Sequence, residues 1–316
     1  MATENPFLPF LNANGFVILD GGLGTSLEAE GVNLDDPLWS ARVLLEDPAP
    51  LRRVHRGFLE AGADVIASCT YQATIPGLKK AGLGESDARR LLRDAATLAV
   101  EVRDAFVSDQ APRGPKPIVA ASIGPYGAYL ADGSEYSGQY GLSAASLREF
   151  HRDRWHLLAD SGADILALET VPSMPETEAL LNLLAESENA WACISFSCRD
   201  AHHLADGTPL EEPLSLIAGC ARIAAVGANC FAPALGAGLA STFASLTDLP
   251  VMLYPNSGEA YDPGRKTWSG SESVPELART AGSWQRLGAA CLGGCCRTTY
   301  EDIRALRAVL ENGGAR

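Results

Sequence analysis

Eight cysteines occur in the chain, and three of them fall where chemistry could use them. Cys230 ends the apolar run AVGANC, and Cys295 and Cys296 follow the run GAACLGG. Adjacent residues of a regular strand point to opposite faces. Cys295 and Cys296 can share a target only if the backbone leaves strand geometry, which Gly293 and Gly294 permit. Three soft ligands around one point suit zinc. Three protein ligands with one open position is the arrangement of a catalytic zinc. Such a thiolate-rich centre activates water poorly but can take an incoming thiol as thiolate. A free thiol, with a pKa of about 8.5, is mostly protonated at neutral pH. Coordination removes that proton, so the chemistry suggested is alkyl transfer to a thiol. Two other readings stay open. A strand cysteine is most often a small buried hydrophobe, and the Cys295–Cys296 pair could be redox active, which leaves Cys230 without a role.

The remaining candidates sort by position. Cys69, Cys193, Cys220 and Cys291 read as packing, and Cys198, just past a strand, fits either use. None of His55, His151, His156, His202 or His203 stands at a strand C-terminus. They read as helix or loop surface, which argues against an imidazole–carboxylate hydrolase centre. Asp20 and Glu169 each close an apolar run, in LDGGLGT and LALET. An amino-acid substrate needs anions for its ammonium group and backbone N–H groups for its carboxylate. Gly21 and Gly22 allow close backbone approach. The alternative is that Asp20 caps a turn and Glu169 pairs with a basic residue of a lid.

Eight short apolar runs place these residues: 16–20, 64–69, 118–123, 164–169, 191–197, 225–230, 250–254 and 288–293. They are continuous rather than alternating, as in parallel strands covered on both faces. Helical patterns lie between them, at about 50–61, 86–106, 143–160, 175–188, 210–222, 237–246, 274–286 and 299–310. The tripeptide GAD recurs at 62–64 and 162–164, each a helix end turning straight into a strand. Strand then helix, eight times, predicts a (β/α)8 barrel, a TIM barrel, as one domain over residues 1–316. A doubly wound sheet is the alternative, but no GxGxxG follows the first strand. Long segments leave the first, third and seventh strands, at 21–49, 124–142 and 255–273. They lie on the face where barrels carry their sites, and Tyr126, Tyr129, Tyr136, Tyr140 and Trp268 suggest ordered lids.

Composition narrows the rest. The 316 residues carry a net charge of −14, with 47% hydrophobic residues, so a core forms and wholesale disorder is excluded. The acidity argues against a nucleic-acid or anionic-membrane partner. No apolar run reaches the roughly 18 residues of a membrane span, and MATENPFLPFLNANG lacks the basic start of a secretory signal. A cytoplasmic enzyme with reduced thiols is expected.

These residues resemble the homocysteine S-methyltransferases. The likeness rests on LDGGLGT, TYQAT at 70–74, SIGPYGAYLADGSEYSGQY at 122–140, LALET, GANC, YPNSGE at 254–259 and GGCCRTT at 293–299. It spans about residues 14–311 and is strongest for the branch using S-methylmethionine or S-adenosylmethionine. The resemblance implies a zinc-dependent barrel that methylates L-homocysteine to L-methionine by direct transfer from the sulfonium donor. It implies Cys230, Cys295 and Cys296 as zinc ligands, and Asp20 and Glu169 as holders of the homocysteine amino group. It puts Gln72 near the bound thiol, and Ser122 and Asn256 in the pocket. The sulfonium is expected on aromatic faces, with Tyr126, Tyr129 or Trp268 as candidates.

Overall fold

The computed structural model describes residues 4–34, 40–110, 114–262, 267–269 and 275–313. The first part of the chain forms α1 (Leu8–Asn14), β1 (Val17–Ile18), α2 (Leu23–Ala29), α3 (Ser40–Glu46), α4 (Ala49–Ala61), β2 (Val65–Ala67), α5 (Ile75–Lys80) and α6 (Glu85–Asp109). The middle forms β3 (Ile118–Ile123), α7 (Tyr126–Leu130), a 3-10 turn (Ser134–Tyr136), α8 (Ala144–Ala159), β4 (Ile165–Val171), α9 (Met174–Glu186), β5 (Ala192–Phe196) and α10 (Glu211–Ile217). The last part forms β6 (Ile223–Asn229), a second 3-10 turn (Pro233–Leu235), α11 (Gly236–Leu246), β7 (Val251–Tyr254), β8 (Ala260–Asp262), β9 (Thr267–Ser269), α12 (Pro275–Arg286), β10 (Ala289–Leu292) and α13 (Tyr300–Gly313).

The main sheet runs β1-β10-β7-β6-β5-β4-β3-β2, all parallel, and the Leu19–Val65 bridge joins its two ends. This is the (β/α)8 barrel, with β8 and β9 as a small antiparallel pair outside it. Alternation along each strand splits the core in two. Val17, Leu19, Val65, Ile118, Ala120, Ile165, Ala167, Cys193, Met252 and Cys291 fill the barrel interior. Their neighbours Ile18, Ile66, Val119, Leu166, Ile194, Val226 and Leu253 pack with the helices. Both faces are buried, which is why the runs read as continuous. Phe7 and Phe10 of the N-terminal segment join the interior cluster, and Asn5 donates to the carbonyl of Ala224 at the start of β6. That segment plugs the N-terminal mouth, and each ring contributes about 2 kcal/mol of burial.

The two GAD turns do the same job twice. Gly62 and Gly162 take left-handed φ values of 103° and 88°. The carboxylate of Asp64 then accepts from Ile18 N at 2.8 Å, and that of Asp164 from Val119 N at 2.7 Å. Arg307 of α13 pairs with Asp64, and Arg103 of α6 lies 2.6 Å from Asp164. Each aspartate thus satisfies an amide near the start of a neighbouring strand and ties a helix to the barrel base.

Three expectations need correction. His55 and His151 are fully buried, not surface residues. The helical pattern at 210–222 yields a helix only over Glu211–Ile217. It stops at a turn through Gly219 and leaves Cys220 half-buried rather than in the core. By contrast Cys69, Cys193 and Cys291 are buried as packing residues, and Cys198 is half-buried. No helix of the described residues is long and apolar enough to cross a membrane.

Candidate active site

Cys230 follows β6 directly, in a left-handed conformation with φ 52°. Its amide donates to Tyr254 O at 2.9 Å, and its carbonyl accepts from Asn256 Nδ2 at 3.0 Å. The end of β7 therefore grips it from both sides. Beyond β10 the backbone leaves the strand as expected. Gly294 N donates to Asp20 O at 2.9 Å and Cys295 N to Pro255 O at 2.8 Å. A turn follows, closed by Thr298 N and Cys295 O at 3.2 Å, with Arg297 at φ 67°. Left-handed backbone at a residue other than glycine is costly and persists where surrounding contacts impose it. The turn leaves Cys295 and Cys296 with their sulfurs on one side.

The ligand sulfurs of Cys230, Cys295 and Cys296 all lie within 4.8 Å of one another, and Cys230 Sγ is 3.6 Å from Cys296 Sγ. All are free thiols. Zinc–sulfur bonds of about 2.3 Å in a tetrahedron give sulfur–sulfur edges of about 3.8 Å, so the set fits a metal of that size. The thiols oppose one another's ionisation. S–H donation from Cys295 and Cys296 holds Cys230 well below the ordinary thiol range, and Cys230 in turn pushes Cys295 and Cys296 well above it. Only a cation lets all three ionise together.

Beneath the thiols, the top interior layer is polar. Tyr254 OH donates to Glu169 Oε1 at 3.0 Å, Ser122 Oγ donates to Glu169 Oε2, and Ser195 meets the Tyr254 hydroxyl. Glu169 thus takes hydroxyl partners rather than a basic lid residue. Burial raises its pKa, against those hydroxyls. Asp20 accepts from Ala67 N at 2.7 Å. Burial pushes it well above the usual carboxylate range, opposed by that amide and reinforced by the charge of Glu169. Buried Asp20 and half-buried Glu169 each lack a compensating charge among the described residues, the electrostatic form of a site for a small cation.

The other expected residues take definite places. A Cβ on Gly22 would come 2.8 Å from Cys295 O, and Gly22 N donates to Thr298 Oγ1 at 3.0 Å. Gly21 lies against Phe58 and Thr298. Both glycines therefore let β1 approach the Cys295–Thr298 turn. Gln72 Nε2 donates to Ala128 O at 2.9 Å, joining the end of β2 to α7. Asn256 props Cys230 from its carbonyl side. Tyr126 and Tyr129 pack with Phe150, and Tyr126 also with Tyr140. The Trp268 side chain lies outside the described residues. The lid residue at the thiols is Tyr136, whose hydroxyl is 3.4 Å from Cys230 Sγ.

A buried network anchors that lid and has no counterpart in the sequence reading. Glu176 accepts from Tyr126 N at 2.7 Å, lies 2.8 Å from His151 Nε2 and receives the Tyr140 hydroxyl. Arg154 Nη2 is 2.7 Å from His151 Nδ1, and Arg154 also donates to Gly124 O. Arg154 donates, so Nδ1 accepts and Nε2 carries the proton toward Glu176. Burial holds His151 down at about 4, keeping it neutral. The one sequence signal was the number of polar residues on an otherwise apolar face of α8. Two open clefts lie at the opposite end of the barrel, around Asp164, Asn189 and Trp191, away from the thiols.

Residues 17–310 match the homocysteine S-methyltransferase family. Homocysteine S-methyltransferase YbgG of Bacillus subtilis is 44% identical over 306 residues, covering 96% of this chain and 97% of that protein. A selenocysteine Se-methyltransferase of Brassica oleracea var. italica is 42% identical over 306 residues, covering 92% of this chain and 88% of that protein. The crystal structure of the metallated homocysteine methyltransferase MmuM of Escherichia coli is 42% identical, with TM-score 0.88, covering 96% of this chain and 99% of that one. The thiol trio, the barrel that carries it and these likenesses agree: the chain is an enzyme of the homocysteine S-methyltransferase family.

Proposed function

We propose that the chain transfers a methyl group from S-methylmethionine or S-adenosylmethionine to the sulfur of L-homocysteine, forming L-methionine. The convergence of Cys230, Cys295 and Cys296 near the acids Asp20 and Glu169 carries this reading. Zinc is the metal the three thiols suit. When bound, it supplies the positive centre that makes an incoming thiol a thiolate at neutral pH. The protein's own residues do the rest. Asp20 and Glu169 receive the ammonium group of homocysteine, and Ser122 and Tyr254 orient Glu169 for it. Gly21 and Gly22 bring the backbone close, Gln72 ties the pocket to the lid, and Asn256 holds Cys230. Alignment of the two sulfurs supplies most of the acceleration. Thiolate ligands must stay reduced, which suits the cytoplasm.

The test is an assay of purified protein with homocysteine and each donor, with and without a chelator. Turnover that survives complete metal removal would refute the reading. The competing ideas are a non-catalytic zinc- or thiol-binding barrel, which would hold metal without turnover, and a thiol redox sensor using the Cys295–Cys296 pair, which requires a disulfide that forms and breaks reversibly in the metal-loaded protein. Selenium in place of sulfur in the acceptor is a second arm of the same assay.

A further inference from the structure

Glu135 precedes Tyr136 in the 3-10 turn of the lid, and that turn packs against β4. Its backbone is wedged in place: a side chain on Gly127 would run into Glu135 N. Its carboxylate is not similarly provided for. Oε2 is buried without a hydrogen-bond partner among the described residues. A glutamate on a surface lid normally turns its head to water, and an orphaned buried carboxylate oxygen is costly. The surroundings are aromatic and anionic. The charge of Glu135 acts on the Tyr71 hydroxyl, and Cys230 acts on both. Tyr136 stands next to it with its hydroxyl 3.4 Å from Cys230 Sγ. Burial pushes the Glu135 carboxyl upward, the direction expected where no cation faces it.

We propose that Glu135, with its chain neighbour Tyr136 and with Tyr71, is the subsite for the positive charge of the methyl donor. The inference rests on the sulfonium-donor reading above. A sulfonium has no N–H to donate, so a carboxylate with one buried oxygen free of hydrogen bonds, beside aromatic residues, suits it. On that reading Asp20 and Glu169 serve the ammonium group of the acceptor, which leaves Glu135 for the donor. In the transfer, the homocysteine sulfur forms a bond to the methyl carbon. The donor's carbon–sulfur bond breaks, and its electron pair stays on the donor sulfur, which becomes a neutral thioether. The proton of the homocysteine thiol goes to solvent. The donor loses its charge in the step, so Glu135 holds the substrate more tightly than the spent donor and favours its release.

The experiment compares S-methylmethionine with its neutral carbon isostere, 2-amino-5-methylhexanoic acid, by calorimetry on the metal-loaded protein. Wild type is expected to bind the cation about tenfold more tightly. Glu135→Gln should erase that preference and raise the donor KM with a smaller change in kcat, leaving the homocysteine KM within about twofold. Glu135→Asp, which keeps the charge, should retain part of the preference. Unchanged metal content and thermal midpoint exclude misfolding as the cause. A preference for the cation that survives Glu135→Gln overturns the subsite. So does a rise confined to the homocysteine KM, which would move Glu135 to the acceptor side. Wild-type protein that turns over neither sulfonium donor overturns the functional reading itself, and the subsite with it.

Discussion

Asn229 and Thr170 hold each other by two hydrogen bonds, Thr170 N to Asn229 Oδ1 and Asn229 Nδ2 to Thr170 Oγ1, both 2.8 Å. Thr170 follows Glu169, and Asn229 precedes Cys230. The pair thus fastens the strand end that carries Glu169 to the strand end that carries Cys230. It also holds Thr170 at φ 58°, an outlying conformation for a β-branched residue. Asn229→Ala leaves the buried Thr170 N–H unpartnered and is expected to cost about 1–3 kcal/mol, with weaker metal binding. Urea unfolding and metal titration check this, and an unchanged midpoint with unchanged affinity would show that the clamp is idle.

The thiols should act as one unit. Cys296→Ala is expected to lose metal and activity together. The chelator should lower the thermal midpoint of wild type but leave that of the variant unmoved, because only wild type has a bound metal to lose. Normal turnover by metal-free Cys296→Ala would contradict the assignment.

Gly227 in GANC has a packing reason to be glycine. A Cβ there would be driven into the carbonyl oxygen of Met252 in β7. Backbone cannot yield as a side chain can, so Gly227→Ala should disturb the β6–β7 pairing that presents Cys230. The expected result is poorly folded protein without metal, read by circular dichroism and metal analysis. A soluble, metal-replete variant would count against this account.

The lid clamp contains a buried charge balance. Arg154, His151 and Glu176 are 0–1% exposed. Glu176→Gln keeps the shape but removes the buried anion whose charge acts on Arg154 past the intervening His151. It should cost up to about 3–5 kcal/mol, the range for leaving a buried charge uncompensated. Cleavage within 124–142 under limited proteolysis should speed up. Equal proteolysis rates and stability would show that the charge is unimportant.

His55 is fully buried, neither ring nitrogen has a partner among the described residues, and burial holds its pKa at about 4. The unfolded chain binds this proton near pH 6.5 and the folded one does not, so stability rises with pH across that window. The contribution is fully present above pH 6.5 and is lost progressively down to about pH 4, by about 3 kcal/mol in all. Asp64, raised to about 6, works in the opposite sense, so the informative quantity is a difference. His55→Leu should gain stability relative to wild type as pH falls from 6.5 to 4. A pH-independent difference would refute the buried neutral state.

The elements were legible because their signals are local. A period of two or 3.6 residues and a glycine after a helix act within a few positions. They marked all eight barrel strands, the GAD turns, and Cys230, Cys295, Cys296, Asp20 and Glu169 as residues at strand ends. Tertiary structure decided what register alone can specify. Cys230 meets Cys296 across 66 residues of sequence, and Asn229 meets Thr170 across 59. Burial of His55 and His151 depends on which helix face meets the barrel, so a polar residue type misled. Which of several lid tyrosines reaches the thiols depends on how a long segment folds back, and no spacing encodes that. Residue chemistry at strand ends came from the sequence. Partners, charges and the lid's reach came from contacts between distant segments, because side-chain environment is set by packing rather than by neighbours in the chain.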